Sequence, residues 1–86
     1  MLESEIKKRS SKFLEDYGWE VIHLIQTNKN GIPDTLALRN KRAVFIEFKQ
    51  PGKKPEALQE YRIKKLREQG FEVLIIRNPK ETIVLK

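Results

Sequence analysis

Between Leu2 and Tyr17 the apolar residues Leu2, Ile6, Phe13, Leu14 and Tyr17 recur on one face at the helical period, and Gly18 follows as a C-terminal stop. That segment predicts a helix. The pattern then changes: "WEVIHLIQ" (19–26) is β-branched and apolar, and "TNKNGIP" (27–33) is turn chemistry. "DTLALR" (34–39) and "RAVFIEFK" (42–49) read as two more strands, joined by a short hairpin at Asn40 and Lys41. After the loop "QPGKK" (50–54), Pro55 is expected to open a second helix as a first-turn proline, running through "EALQEYRIKKLREQ" to Gly70. "FEVLIIR" (71–77) is a strand, "NPK" a turn, and "TIVL" (82–85) a weak last strand.

The resulting order is αβββαββ. A strand, a helix and a strand in succession favour a crossover that sets the fourth strand parallel to the third, so the expected fold is α/β, a mixed sheet with helices packed on it. At 86 residues, 38% of them hydrophobic and 35% charged, residues 1–86 are expected to form one domain. A domain of this size buries about 60 to 65% of the surface of its unfolded chain, so the core is small.

On the strand 42–49, alternate residues face opposite ways: Val44, Ile46 and Phe48 share one face, Phe45, Glu47 and Lys49 the other. A central strand between helices should be apolar on both faces, so two charges on one of them carry a desolvation cost unless a partner offsets it. The plainer reading is an exposed ion pair at the strand end. The preceding turn argues otherwise. Gly31 can adopt backbone angles that other residues avoid, Pro33 fixes its own φ and keeps Ile32 extended, and Asp34 is expected to be set at the mouth of the second strand. Asp34 lies six residues before the hairpin and Glu47 six after it, so the two carboxylates come out side by side. Neighbouring carboxylates repel, and a divalent cation with a preference for oxygen ligands, magnesium or manganese, is the common resolution.

The helices add polar candidates. Glu3 falls within the apolar stripe of the first helix, in line with Ile6 and Ser10 and beside Leu14, whereas Glu5 falls outside it. Gln59 falls in the middle of the stripe formed by Leu58, Ile63 and Leu66, so its amide should turn towards the sheet and needs a partner there. Each of these also reads as an ordinary satisfied polar residue. His23, the single histidine, reads as packed or edge-exposed rather than catalytic.

The charge balance is +6, with 18 Lys and Arg against 12 Asp and Glu, and suggests an anionic partner without choosing between nucleic acid and a membrane surface. The absence of cysteine removes disulfides, zinc fingers and thiol nucleophiles. No apolar stretch approaches the roughly 20 residues that span a bilayer, and Met1 is followed by mixed charges rather than a signal-peptide core, so a soluble, intracellular, cytoplasmic protein is expected.

Gly31-Ile32-Pro33-Asp34, then Glu47-Phe48-Lys49, with Glu3 upstream and Gln59 on the following helix, resembles the PD-(D/E)XK nuclease superfamily, and within it the VRR-NUC family, which includes small stand-alone proteins of phages and bacteria. The segment "LQEYRIKKLREQGFEVLII" (58–76) belongs to the same similarity; the last predicted strand is unmatched. The resemblance implies a restriction-endonuclease-like αβββαβ core and metal-dependent hydrolysis of phosphodiester bonds in DNA. It implies Asp34 and Glu47 as metal ligands beside the Phe48 carbonyl, with Glu3 completing or supporting the shell and Mg2+ bound, Mn2+ substituting. Lys49 would orient or activate the attacking water, and Gln59 would fix the water or phosphate.

Stand-alone members resemble Holliday-junction resolvases, so a four-way junction is the expected DNA and a homodimer the expected assembly, since two symmetric cuts need two sites. Lys7, Lys8, Arg9, Lys29, Lys53, Lys54, Lys64, Lys65 and Arg67 would contact phosphates, and without a recognition helix or an aromatic stacking motif recognition would be by DNA shape. A less selective or flap-cutting nuclease, a DNA-binding module without catalysis, and a small α/β protein that binds another protein remain open alternatives.

Overall fold

The computed structural model describes residues 1–86. Helix α1 (Glu3–Asp16) is followed by strands β1 (Glu20–His23), β2 (Thr35–Arg39) and β3 (Arg42–Phe48), helix α2 (Ala57–Glu68), strand β4 (Glu72–Ile76) and a 3₁₀ segment, Pro79–Leu85. The four strands form one sheet in the order β1-β2-β3-β4, antiparallel up to β3 and parallel between β3 and β4. No helix is long and apolar enough to cross a membrane.

Both helices stop in the same way. After α1 the Trp19 amide donates to the Leu14 carbonyl at 3.0 Å and the Gly18 amide to Glu15 at 3.0 Å; after α2 Phe71 donates to Leu66 at 3.1 Å and Gly70 to Arg67 at 2.9 Å. This paired closure needs a left-handed residue just past the helix, and Gly18 and Gly70 supply it at φ of 92° and 89°. The hairpin turn between β2 and β3 takes positive φ at both central residues, Asn40 (50°) and Lys41 (66°), the geometry whose twist matches that of paired strands.

The face of the sheet carrying Ala37, Val44, Ile46, Phe48 and Ile76 packs with Ile6 and Leu14 of α1, Trp19, and Leu85 of the 3₁₀ segment into the main core. Burial there supplies most of the driving force for folding, at about 25 cal/mol per Å² of apolar surface. Helix α2 packs against β4 on the opposite face, where Ile63 and Val73 are buried. Ile22, Leu36 and Phe45, aligned across β1, β2 and β3 on that second face, remain exposed or partly exposed.

Two expectations need correction. Residues 82–85 are not a strand. Pro79 has no amide to give a ladder, Asn78 Oδ1 accepts the Lys80 amide at 2.9 Å, Glu81 Oε1 accepts the Arg77 amide at 2.6 Å, and the Thr82 hydroxyl donates to the Pro79 carbonyl at 2.8 Å. These local bonds, with Leu85 buried and its carbonyl held by Trp19 Nε1 at 2.8 Å, outweigh the β-propensity of Thr82, Ile83 and Val84. Pro55 also lies outside the helix, one residue before its N-cap: Glu56 is the N-cap of α2, and its amide is taken by the Gln59 side-chain carbonyl at 2.9 Å.

Candidate active site

The β2–β3 register pairs Thr35 with Ile46, so the next step of the ladder sets Asp34 opposite Glu47. The regular ladder ends there. The Asp34 amide donates to the Glu47 side chain, 3.3 Å to Oε1, and the Asp34 carbonyl accepts the Leu24 amide at 2.7 Å. Asp34 is thus fixed by backbone bonds on both sides, just past Pro33, which is buried.

Gly31 lets that turn approach α2. It sits at φ 82°, and a Cβ on it would lie 2.8 Å from Leu58 Cγ and 3.1 Å from the Leu58 backbone. Arg62 of α2 ties down the same turn through a 3.0 Å bond from Nε to the Asn30 carbonyl. The turn and the helix start therefore arrive together, and Gln59 comes with them. Its side-chain amide donates to Glu47 Oε2 at 3.1 Å while its carbonyl caps α2, so one residue both starts the helix and orients the acid.

Glu47 is 6% exposed. Burial pushes its carboxyl above the usual glutamate range, and the neighbouring Asp34 charge adds to that; Lys49 and the Asp34 amide oppose it, and Glu3 raises it further. Lys49 Nζ stands 3.8 Å from Glu47 Oε2, with its side chain largely buried. Desolvation of the acid outweighs this partly screened attraction, so the site as folded holds a carboxylate short of positive charge.

Glu3 lies in the first turn of α1, exposed to solvent but close enough to act on Glu47. Glu5 lines an outer groove of the same helix with Lys8, Arg9 and Lys12. No three acidic or histidine side chains converge tightly enough to enclose a metal ion. The donor set is two adjacent carboxylates, with the Phe48 carbonyl between Glu47 and Lys49 in sequence, and it fits magnesium or manganese: Mg2+ keeps several waters and is commonly bound by one or two carboxylates plus substrate phosphate. A raised carboxyl pKa beside a second acid is also the electrostatic condition that a cation relieves.

Two residues not counted among the site residues in the sequence, Lys7 and Thr35, lie against Asp34, and a third, His23, reaches it through Thr35. Lys7, read there only as a phosphate contact, is 3.0 Å from Asp34 Oδ2; it is one helical turn beyond Glu3, and that spacing was the available signal. The Thr35 hydroxyl donates to Asp34 Oδ1 at 3.0 Å, and His23 Nδ1 lies 3.1 Å from that hydroxyl.

No protein-family profile matches the sequence, and no curated protein is significantly similar to it. Among solved structures, a VRR_NUC domain superposes with a TM-score of 0.87 and 26% sequence identity, covering 96% of this chain and 91% of that one. In fold and sequence together, the chain is similar to a VRR-NUC domain.

Proposed function

We propose that the protein is a divalent-metal-dependent endodeoxyribonuclease that cuts branched DNA, with the four-way junction as its preferred substrate. A VRR-NUC domain is a nuclease fold of the PD-(D/E)XK type, and the observation that carries the reading for this chain is the juxtaposition of Asp34, Glu47 and Lys49. Binding to anionic DNA gains nothing from clustered carboxylates, which counts against a purely DNA-binding module.

In this reading Asp34 and Glu47, with the Phe48 carbonyl, hold Mg2+ or Mn2+, and Glu3 supports the shell from α1. The bound ion would lower the pKa of its water and polarise the scissile phosphate. Gln59 keeps Glu47 oriented. Lys49, shielded from solvent, stabilises negative charge as it develops on the phosphate oxygens during attack by water. Phosphates beyond the site meet Lys and Arg side chains on α2 and in the 28–33 turn: Lys29, Arg62 and Lys65 line one shallow surface depression, which has no acidic residue in its wall.

The apolar row of exposed Ile22 and partly exposed Leu36 and Phe45 supports a homodimer, which would give a junction two sites. A monomer in light scattering at micromolar concentration would remove that part of the proposal.

The test is incubation of a labelled four-way junction, a flap and a matched linear duplex with Mg2+ or Mn2+, wild type beside Asp34→Asn, with chelator as control. Paired nicks near the junction that vanish with chelator and with Asp34→Asn are expected. Equal cutting of all three DNAs would replace junction resolution with a less selective nuclease, and binding without cutting under every metal would overturn catalysis.

A further inference from the structure

The Thr35 hydroxyl joins two strands. It donates to Asp34 Oδ1 at 3.0 Å and lies 3.1 Å from Nδ1 of His23, its partner across the β1–β2 ladder. A threonine hydroxyl has one proton, and an ionised carboxylate only accepts. The proton of Thr35 therefore goes to Asp34, and the His23 contact is a hydrogen bond only with Nδ1 protonated and donating. The contact thus calls for a proton on Nδ1 of His23, a residue exposed at the sheet edge.

Thr35 is fully buried in a strand whose next inward residue, Ala37, is also fully buried. A valine has nearly the same shape and would avoid the cost of burying a hydroxyl, so the hydroxyl is worth its place only through its two partners. Those partners hold one oxygen of a carboxylate whose other oxygen faces Lys7 at 3.0 Å and whose backbone is bonded on both sides.

We infer that Thr35 and His23 are positioning residues for Asp34: the chain His23 Nδ1–H to Thr35 hydroxyl to Asp34 Oδ1 fixes the rotation of that carboxylate towards an incoming divalent cation. The inference rests on the reading of Asp34 as a metal ligand. Groups that orient a ligand in this way typically carry a 10- to 100-fold effect on metal affinity, about tenfold being expected here for a neutral chain at a partly exposed acid.

The experiment is titration of Mn2+ into metal-free protein by calorimetry, with thermal melts of each variant. Asp34→Asn should lose the binding. Thr35→Val and His23→Phe should each weaken it about tenfold, while Thr35→Ser and His23→Asn, which keep the hydroxyl and a δ-position donor, should stay near wild type. The double variant Thr35→Val/His23→Phe should bind no more weakly than Thr35→Val, because Thr35 is the only link between His23 and the acid.

Wild-type binding by Asp34→Asn would overturn the metal reading itself. Loss in Asp34→Asn with wild-type affinity in both Thr35→Val and His23→Phe would overturn the positioning chain alone, as would additive losses in the double variant. His23 is exposed, so its variants carry the test even if Thr35→Val fails to fold.

Discussion

Asp34 and Glu47 stand side by side at the ends of two antiparallel strands, the amide of one bonded to the carboxylate of the other at 3.3 Å. Two acids meet there in a setting that leaves Glu47 almost without solvent. Their proximity costs stability in the metal-free protein, and a divalent cation would offset that cost.

Cleavage should depend steeply on the three central residues. Asp34→Asn and Glu47→Gln are expected to abolish it, and Lys49→Ala to lower kcat by about 10²- to 10³-fold, the usual effect of deleting one group that stabilises transition-state charge. Glu3→Gln should reduce activity while Glu5→Gln leaves it unchanged. Single-turnover cleavage of a labelled junction measures all five.

The raised pKa of Glu47 has a signed consequence for stability. A carboxyl whose folded pKa lies above its unfolded value binds more protons when folded, so stability falls as pH rises from the ordinary value of 4.5 through the folded one. Above that window the cost is fully present; below pH 4.5 it is absent. Glu47→Gln, a mimic of the protonated acid, should therefore raise the melting temperature of metal-free protein by several degrees at pH 7.5 and have little effect near pH 4. Thermal melts at the two pH values check this, and Mg2+ should stabilise wild type but not the variant.

Gly31→Ala should damage both fold and site. The added methyl meets Leu58 within 3.1 Å on backbone atoms, and the positive φ is strained for alanine. The expected cost is about 1–3 kcal/mol, with reduced cleavage because the start of α2 moves and Gln59 with it. Gly52→Ala, also at positive φ but with open space around it, should lower stability less and leave cleavage intact. Denaturant unfolding and cleavage rates on the two variants make the comparison.

The 3₁₀ segment should behave as core rather than tail. Leu85→Ala should destabilise the fold by about 2–5 kcal/mol, as truncation of a buried leucine does. Trp19, whose indole donates to the Leu85 carbonyl, should report it as a red-shifted emission in denaturant at a lower midpoint.

Much of this was written locally. The two helices, the four strands and the Asn40-Lys41 hairpin follow from short-range periodicity and turn chemistry, and once a hairpin of that length is set, period-two geometry alone pairs position 34 with position 47. The charged face of β3 was legible because a charge breaks an apolar pattern. Gln59 was legible for the same reason, standing in an apolar stripe.

The rest depended on contacts between distant segments. Lys7, Thr35 and His23 carry no local anomaly: a lysine on a helix, a threonine in a strand and a histidine near an edge are each ordinary, and only the docking of α1 brings Lys7 to Asp34 and only the β1–β2 ladder brings His23 to the Thr35 hydroxyl. Residues 82–85 show the opposite failure, a strand-like stretch turned into a 3₁₀ segment by capping at Asn78 and by the place that Trp19 offers Leu85. The sequence by itself determined the two helices, the four strands and the pairing of the two acids, because all arise from periodicities of a few residues; only the tertiary structure decided the form of the last segment, how dry Glu47 is and what holds Asp34, because desolvation and hydrogen bonding across 12 or more residues depend on which surfaces pack together.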